Sequence, residues 1–196
     1  MAAHYYPAAE RNRQPILEAL QPRLPESGVL LELASGTGQH AAWFAQHLPG
    51  WTIQPSDREA TTAESVATWA AEAGVADRVL PALTLDVTVL PWVVGPCDAV
   101  YCANMIHIAP WAVSEALFAG MGGLRVPLYL YGPFRFGGVI EPSNLTFEGW
   151  LKKQHPAYGV RDVEDLKRLA SGVGYALVEQ LALPANNHLL VWKPVE

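Results

Sequence analysis

An apolar run that ends in a glycine turn limits what this chain can fold into. Residues 29–34 read Val-Leu-Leu-Glu-Leu-Ala, a pattern typical of a buried strand, and Gly36 and Gly38 follow at once. A helix-forming segment begins directly after the turn, at residues 41–45. In an open α/β sheet, such a strand–turn–helix junction binds nucleotide-like ligands, because glycines allow a tight turn and a close approach of the ligand.

Three interpretations of this junction remain open at the level of the motif. The acid at Glu32, four residues before Gly36, is unusual for dinucleotide sites, which are apolar up to the first glycine. Residues 36–41 nevertheless fit the looser dinucleotide fingerprint with alanine in the third glycine position. The third interpretation is a strand–turn–helix junction with no ligand.

The order of predicted elements indicates the fold class. Strands are predicted at residues 29–34, 51–56, 79–85, 98–103, 124–131, 175–183 and 188–193, and helices at 11–20, 40–47, 58–73, 111–119 and 162–170. Alternating strands and helices favour a mostly parallel sheet with helices on both faces. The last two strands are joined by a short turn and must be antiparallel. We therefore predict an α/β fold with a Rossmann-like seven-stranded sheet and a C-terminal antiparallel hairpin.

The 196 residues are most simply one domain. Residues 1–28 form a predicted N-terminal helical extension. Residues 132–160 are rich in proline and glycine and are predicted to be irregular, apart from one helical turn near residues 147–154. A segment of this length without regular structure is usually functional, so we expect a lid or an acceptor pocket there. Pro127 moves the expected start of the fifth strand to about Leu128, and Asp162 is the expected N-cap of the helix at 162–170.

Composition excludes several classes of protein. Hydrophobic residues make up 51% and charged residues 16%, which is typical of a globular chain. The net charge of −6 and the lack of any lysine or arginine run argue against a nucleic-acid partner. No apolar stretch is long enough to span a membrane and no secretory signal is recognisable. Cys97 and Cys102 lie on one predicted strand, too far apart to pair, so we expect a reduced, cytoplasmic protein.

Acids end two further strands. Asp57 follows the second strand, where a carboxylate accepts both ribose hydroxyls of a bound NAD or S-adenosylmethionine (SAM); the alternative is an N-cap for a helix starting at Arg58. Asp86 ends the third strand, where it either contacts an adenine or orders a loop. With Glu32 these acids form a constellation, but no histidine or fourth acid stands at ligand spacing, so no metal site is predicted.

The fourth strand opens into a segment that contains Asn104 and His107. Asn104 is a candidate for holding the amino-acid end of SAM, and His107 is a candidate general base facing a methyl acceptor. The alternative for His107 is packing beneath Trp111. Tyr5, Tyr6 and the polar residues 10–13 are expected to fold over the same crevice. Five residues are candidates for contacting the acceptor: Asn12, Tyr131, Phe134, Arg135 and Asn187.

Several stretches carry a resemblance to a known family. They are residues 10–12, 15–17, 34–40, 54–57, 85–87, 104–108, 129–134 and 184–187. On these stretches the chain resembles a class I SAM-dependent methyltransferase. More narrowly, it is similar to the uncharacterised family called domain of unknown function 938, which is related to methyltransferase-like protein 26.

The resemblance implies a cofactor and a set of residues that bind it. The cofactor is SAM, with S-adenosylhomocysteine (SAH) as the product. The candidate cofactor-binding residues are Glu32, Ala34, Ser35, Gly36, Thr37, Gly38, Asp57, Asp86, Val87 and Asn104. The expected function is methyl transfer to a small-molecule acceptor. The alternatives are a catalytically inactive SAM- or SAH-binding protein, a NAD(P)-dependent oxidoreductase, and a protein methyltransferase that works in a complex.

Overall fold

The computed structural model of the chain describes residues 4–195, which form two compact units. The first unit contains the chain up to Asp86 together with Val93–Cys102. The second contains Val87–Trp92 and the chain from Ala103 onwards. No helix in the described part of the chain is both long enough and apolar enough to cross a membrane.

The first unit is built on parallel strands. Its helices are α1 (Pro7–Leu20), α2 (Gln39–His47) and α3 (Thr62–Glu72), and its strands are β1 (Gly28–Leu33), β2 (Trp51–Asp57), β3 (Leu83–Thr84) and β4 (Ala99–Ala103). The strands pair in the order β3-β2-β1-β4, all parallel. The predicted strand–turn–helix junction at residues 29–45 is therefore confirmed, and α1 begins at Pro7, four residues earlier than predicted.

The core of this unit explains why β1 is almost wholly apolar. Leu30, Leu31 and Leu33 have no exposed surface, as expected of a parallel strand that is covered on both faces. Leu33 pairs with Ser56, so the turn that follows β1 lies beside the carboxyl end of β2, where Asp57 stands. The register thus brings the glycine turn and an acid together.

The third strand is much shorter than predicted. Only Leu83–Thr84 forms a strand beside β2, and Val79 makes an isolated bridge to Ile53. Pro81 lies between them and has no N–H to donate to β2, so the pairing with β2 is interrupted there. The Pro81 carbonyl instead accepts a hydrogen bond from the Gln54 side chain at 2.9 Å.

The second unit contains the antiparallel strands. Its elements are α4 (Trp111–Leu124), β5 (Leu128–Arg135), α5 (Pro142–Gln154), β6 (Arg161–Asp162), α6 (Val163–Gly172), β7 (Tyr175–Leu183) and β8 (Asn187–Pro194). The strands β5, β8 and β7 are neighbours in that order and antiparallel, while β6 runs parallel to β5. The predicted α/β class and closing hairpin are confirmed, and the start of β5 at Leu128 is as predicted. The described residues 4–195 contain eight strands rather than seven because the two-residue β6 was not foreseen.

The segment 132–160 is more regular than its composition indicates. It contains the end of β5 and the thirteen-residue helix α5, where only one helical turn was expected. Pro133 fits in β5 because it is the last residue of that strand paired with β8, opposite Asn187. Both cysteines are free; Cys102 is buried in β4, and Cys97 precedes that strand instead of belonging to it.

Candidate functional site

The turn after β1 uses its two glycines for different purposes. Gly36 and Gly38 both have left-handed backbone angles, with φ of 54° and 87°. A Cβ on Gly38 would lie 2.6 Å from the Cα of Val66, so this position must be glycine for α3 to pack. Among the described residues outside the turn itself, a Cβ on Gly36 would meet only the Tyr6 ring, at 3.9 Å. Gly36 therefore presents a bare backbone surface, as a close-approaching ligand requires.

Asp57 is fixed to this turn. Its Oδ2 accepts a hydrogen bond from the Gly36 amide at 3.0 Å, and its Oδ1 accepts one from the Glu59 amide at 3.0 Å. Each carboxylate oxygen has a second lone pair, so both can accept a further hydrogen bond. The alternative in which Asp57 caps a helix at Arg58 is wrong, because α3 begins at Thr62 and Thr61 is its N-cap.

Serine hydroxyls brace the turn from inside. The hydroxyls of Ser35 and Ser56 both donate to the Glu32 carbonyl, at 3.3 and 2.8 Å. The Ser56 amide donates to Ser35 Oγ at 3.1 Å, and the Ser35 amide donates to the Ser56 carbonyl at 2.9 Å. The side chain of Ser35 thus stabilises the junction of β1 and β2. Because its hydroxyl is used in these contacts, we expect Ser35 to contribute to a ligand site mainly by positioning the backbone of the turn.

Behind the turn lies a buried polar cluster that the sequence did not reveal; it consists of Asn12, Glu32, His40 and Tyr101. The His40 ring bonds Asn12 Oδ1 through Nε2 at 2.8 Å and the Tyr101 hydroxyl through Nδ1 at 3.2 Å. Asn12, a candidate for contacting an acceptor, is thus held by α2. The one local signal for this cluster is a histidine, His40, in the first turn of the helix after the glycines. Its partners Asn12 and Tyr101 are distant in sequence, so the pattern around His40 does not identify them.

Glu32 and His40 are both mainly uncharged at neutral pH. Glu32 is 2% exposed, and burial raises its pKa to about 8. Burial also lowers the pKa of His40 to about 4. Although Glu32 Oε1 lies 4.0 Å from His40 Nδ1, the two groups are therefore a neutral pair and not a salt bridge. Glu32 Oε2 is buried and has no hydrogen-bond partner in the described part of the chain.

The segment His4–Tyr6 is attached to the glycine turn. The Tyr6 amide donates to Gln39 Oε1 at 2.6 Å, and that same oxygen accepts from the Thr37 hydroxyl at 3.0 Å. The His4 amide donates to Ser65 Oγ at 3.0 Å, and Ser65 in turn donates to the Thr37 carbonyl at 2.8 Å. Gln39 and Ser65 are residues that sequence reasoning missed, since nothing in their local pattern shows which segment they hold.

The third acid lies at the same edge of the first unit. Asp86 is exposed and follows β3 by two residues, and β3 pairs with β2 so that Thr84 lies opposite Asp57. The next residue, Val87, is buried, and its carbonyl accepts a hydrogen bond from the Trp92 indole at 3.0 Å. The assignment of Val87 as a cofactor-binding residue remains a prediction. No group of three or more potential metal ligands occurs among residues 4–195.

In the second unit, Asn104 and His107 follow the end of β4. Asn104 has a left-handed φ of 56°, and its amide donates to the Tyr131 carbonyl at 3.0 Å. His107 is 3% exposed and its ring packs edge-to-face on Phe147. Burial first, and the nearby Arg161 second, lower the pKa of His107 to about 4. The ring is therefore a neutral imidazole at physiological pH.

Arg161 fixes the turn that carries His107. Its guanidinium donates to the Ile106 carbonyl at 3.0 Å and to the Ala109 carbonyl. The His107 carbonyl also accepts from the Gly159 amide at 3.0 Å. These contacts hold the backbone on both sides of His107, so the position of its ring is set by main-chain anchoring.

The predicted acceptor-binding residues of the second unit differ in burial and in their partners. Tyr131 and Phe134 are buried in β5, and the Asn187 side chain donates to the Pro184 carbonyl at 3.3 Å within the hairpin turn. Arg135 donates to Glu148 at 2.8 Å, so its charge is already paired. Arg135 and Glu148 line a cavity of about 220 Å³ together with Trp111, Gly138, Val160, Arg161, Asp162 and Asp165.

Comparison with known sequences decides the family. The sequence model of the family described as "Protein of unknown function (DUF938)" matches residues 3–194. The chain belongs to this family. The match spans nearly the whole sequence and confirms the narrower resemblance.

Several solved structures with a similar fold are methyltransferases. An O-methyltransferase family 2 protein from Planctomyces limnophilus, in complex with apigenin, has 20% identity and a TM-score of 0.75 over 94% of this chain and 62% of its own. An O-methyltransferase family protein from Burkholderia thailandensis has 16% identity and a TM-score of 0.80, with 96% and 58% covered. CalO1, a methyltransferase of calicheamicin biosynthesis in its SAH-bound form, has 15% identity and a TM-score of 0.73, with 95% and 55% covered.

These similarities establish the fold of the DUF938 chain. It is a mixed α/β, Rossmann-like methyltransferase fold with a C-terminal antiparallel hairpin. The chain spans between 55% and 62% of the length of the three solved proteins. What those proteins bind or methylate belongs to them, and the activity of this chain has to be argued from its own residues.

Proposed function

We propose that this protein is a SAM-dependent methyltransferase that acts on a small-molecule acceptor. The observation that carries the proposal is the hydrogen bond between the Gly36 amide and Asp57 Oδ2 at the carboxyl edge of parallel strands. This hydrogen bond sets a carboxylate, which can accept ribose hydroxyls, beside a backbone turn that a ligand can approach closely. A nucleoside site needs both features. The similarity of the fold to methyltransferases agrees with this choice of ligand.

The residues of the first unit suit SAM. The Asp57 carboxylate would accept the ribose hydroxyls, and the exposed Asp86 would accept the adenine amino group. The turn from Ala34 to Gly38 would lie against the part of SAM that carries sulfur and the amino acid. The bare surface at Gly36 leaves room for that approach, since the Tyr6 ring is the only group of residues 4–195 outside the turn that lies within 4 Å of a Cβ built there.

Glu32 contributes to the same fit. Its Oε2 is buried without a hydrogen-bond partner among residues 4–195, a situation that costs free energy unless a ligand or a water molecule satisfies it. A cationic ligand near the turn would favour the ionised carboxylate, which burial otherwise disfavours. We therefore include Glu32 in the proposed cofactor site. We also include Val87 and Asn104, because each follows the end of a strand in the sequence, as the family resemblance implies.

Bound SAM would supply an electrophilic methyl group, so the protein has mainly to align an acceptor with it. His107 is our candidate for the acceptor side. As a neutral imidazole it can accept a proton or a hydrogen bond from an acceptor hydroxyl. A pKa of about 4 makes it a weak base, so we assign it the task of orienting an acidic hydroxyl rather than of deprotonating an alcohol.

Direct titration tests the proposal. Isothermal calorimetry of the purified chain with SAM, SAH and NADH should give micromolar binding of the first two and none of the third. Asp57→Asn should weaken both SAM and SAH by at least about tenfold, because a carboxylate that accepts two hydroxyls is lost. Asp77→Asn, at an exposed aspartate away from the turn, is the matched control and should change neither affinity.

The outcomes separate the alternatives. Binding of NADH without SAM would support an oxidoreductase, and binding of neither would refute the proposed cofactor site. If SAM and SAH bind, a screen of small hydroxyl and amine compounds for SAH release tests the enzymatic step. Binding without turnover over a broad acceptor panel would favour an inactive SAM- or SAH-binding protein.

A further inference from the structure

An exposed aromatic ring faces the bare backbone of the glycine turn. The Tyr6 side chain is 62% exposed, yet one edge of its ring lies 3.9 Å from the position of a Cβ on Gly36. Large apolar side chains near a ligand turn usually gain burial from the protein itself. The Tyr6 ring instead stays largely exposed to solvent, next to the backbone of Gly36, which carries no side chain.

The ring is held in place by its own backbone. The Tyr6 amide donates to Gln39 Oε1 at 2.6 Å, in the first turn of α2, and α1 begins at the next residue. The preceding residues are tied by the His4 amide to Ser65 and by the Trp69 indole to the His4 carbonyl, at 3.0 and 2.8 Å. Tyr6 is therefore positioned by α2 and α3, the helices that flank the turn.

We propose that Tyr6 is a cofactor-contacting residue whose ring recognises the positive charge of the SAM sulfonium. This inference rests on the proposed function. Asp57, which would hold the ribose, bonds Gly36, and the sulfur of SAM is attached to the ribose through a single carbon. A ribose held by Asp57 would bring the sulfur near Gly36, and the Tyr6 ring lies beside that residue.

The chemistry at this position favours a cation. An aromatic face attracts a positive charge electrostatically, by roughly 0.5–2 kcal/mol depending on how far the site is desolvated. SAM carries a sulfonium, whereas its product SAH carries a neutral thioether. A ring at this position therefore favours the substrate form of the cofactor over the product form, and thereby helps product release.

The test is the ratio of two affinities in matched variants. Tyr6→Leu removes the ring and keeps the backbone amide that bonds Gln39, while Tyr6→Phe keeps the ring. Tyr5→Leu is the positional control, because Tyr5 is similarly exposed but lies outside 4 Å of the Gly36 Cβ position. Calorimetry with SAM and with SAH gives a dissociation constant for each variant.

Tyr6→Leu should weaken SAM by about 3- to 30-fold and SAH by less than about twofold, as a cation–π contact predicts. Tyr6→Phe and Tyr5→Leu should leave the SAH-to-SAM ratio as in the unmodified chain. An equal loss for both ligands, or no loss, would overturn the assignment while the proposed function stands. If the unmodified chain binds neither ligand, the proposed function fails and the role of Tyr6 fails with it.

Discussion

The Glu32 carboxyl and the His40 imidazole face each other at 4.0 Å, and burial keeps both neutral around pH 7. Burial makes the charged form of either group costly, and it acts in opposite directions on their pKa values. A pair of this kind makes the stability of the first unit depend on pH in a predictable way.

The stability of the protein should fall between about pH 6.5 and 8. Folded Glu32 keeps its proton up to about pH 8, whereas the unfolded chain loses it near 4.5, so the folded state binds more protons and loses stability as pH rises. His40 has the opposite effect between about pH 4 and 6.5, since its folded pKa is depressed. Above 6.5 only the Glu32 effect of these two remains, at roughly 1 kcal/mol per pH unit.

Glu32→Gln should remove that decline. Urea unfolding at pH 6.5 and 8 should show the unmodified protein losing about 1–2 kcal/mol while the variant stays level. Glu72→Gln, at an exposed position of α3, is the control and should follow the unmodified protein. Parallel pH curves for Glu32→Gln and the unmodified protein would show that Glu32 is already ionised.

Alanine at the two turn glycines should separate folding from binding. Gly38→Ala combines left-handed strain with a 2.6 Å contact to the Val66 backbone, so we expect a loss of about 3 kcal/mol or more. Gly36→Ala brings only the strain, about 1–2 kcal/mol, but places a methyl group on the surface proposed for SAM. Denaturant unfolding and SAM titration of both variants check this. Equal stability losses would contradict the packing difference.

His107 should titrate far below ordinary histidines. Burial first and Arg161 second set its pKa at about 4, so its Cε1–H resonance should stay constant from pH 5.5 to 8 in NMR spectra. His107→Gln identifies the resonance by removing it. A midpoint near 6.5 would mean that the ring reaches water and would restore it as an ordinary general base.

The Arg135–Glu148 pair should behave as a structural contact. Glu148 is 7% exposed and also has Lys152 at 3.7 Å, so Arg135→Met leaves a buried carboxylate with one weaker partner. We expect a loss of about 1–3 kcal/mol, less than for a fully buried pair, because Arg135 is partly solvated and the nearby Arg161 also attracts the Glu148 carboxylate. The double variant with Glu148→Gln should lose less than the sum of the single variants. Additive losses would show that the pair is uncoupled.

Local signals predicted the parts of the fold that depend on neighbouring residues. The β1–turn–α2 junction, the closing hairpin and the N-cap at Asp162, which accepts from the Glu164 amide at 2.9 Å, all follow from short patterns. The interruption of the third strand also has a local cause, Pro81, whose missing N–H was not taken into account. Helix α5 was predicted only as a single turn near residues 147–154, because the glycines and prolines around it mask the rest of its pattern.

The contacts of the candidate site depend on partners that are distant in sequence. His40 meets Tyr101, 61 residues away, and Tyr6 meets Gln39, 33 residues away. Such pairs depend on which faces of two helices pack together, and periodicity alone does not fix that. The sequence could indicate the turn and its acids, but not that Asn12 and Arg135 already have partners within their own units.

The attachment of His4–Tyr6 has a kinetic consequence. Only three hydrogen bonds are described for this segment beyond its own helix, so we expect it to open more often than the core of the first unit. Because the Tyr6 ring lies 3.9 Å from the Gly36 Cβ position, a ligand at that surface would enter and leave through such openings. Weakening the hydrogen bonds to Gln39 or Ser65 would then speed association and dissociation together. Because the two rates change in the same direction, the residence time of the ligand would shorten while its equilibrium affinity stayed nearly the same.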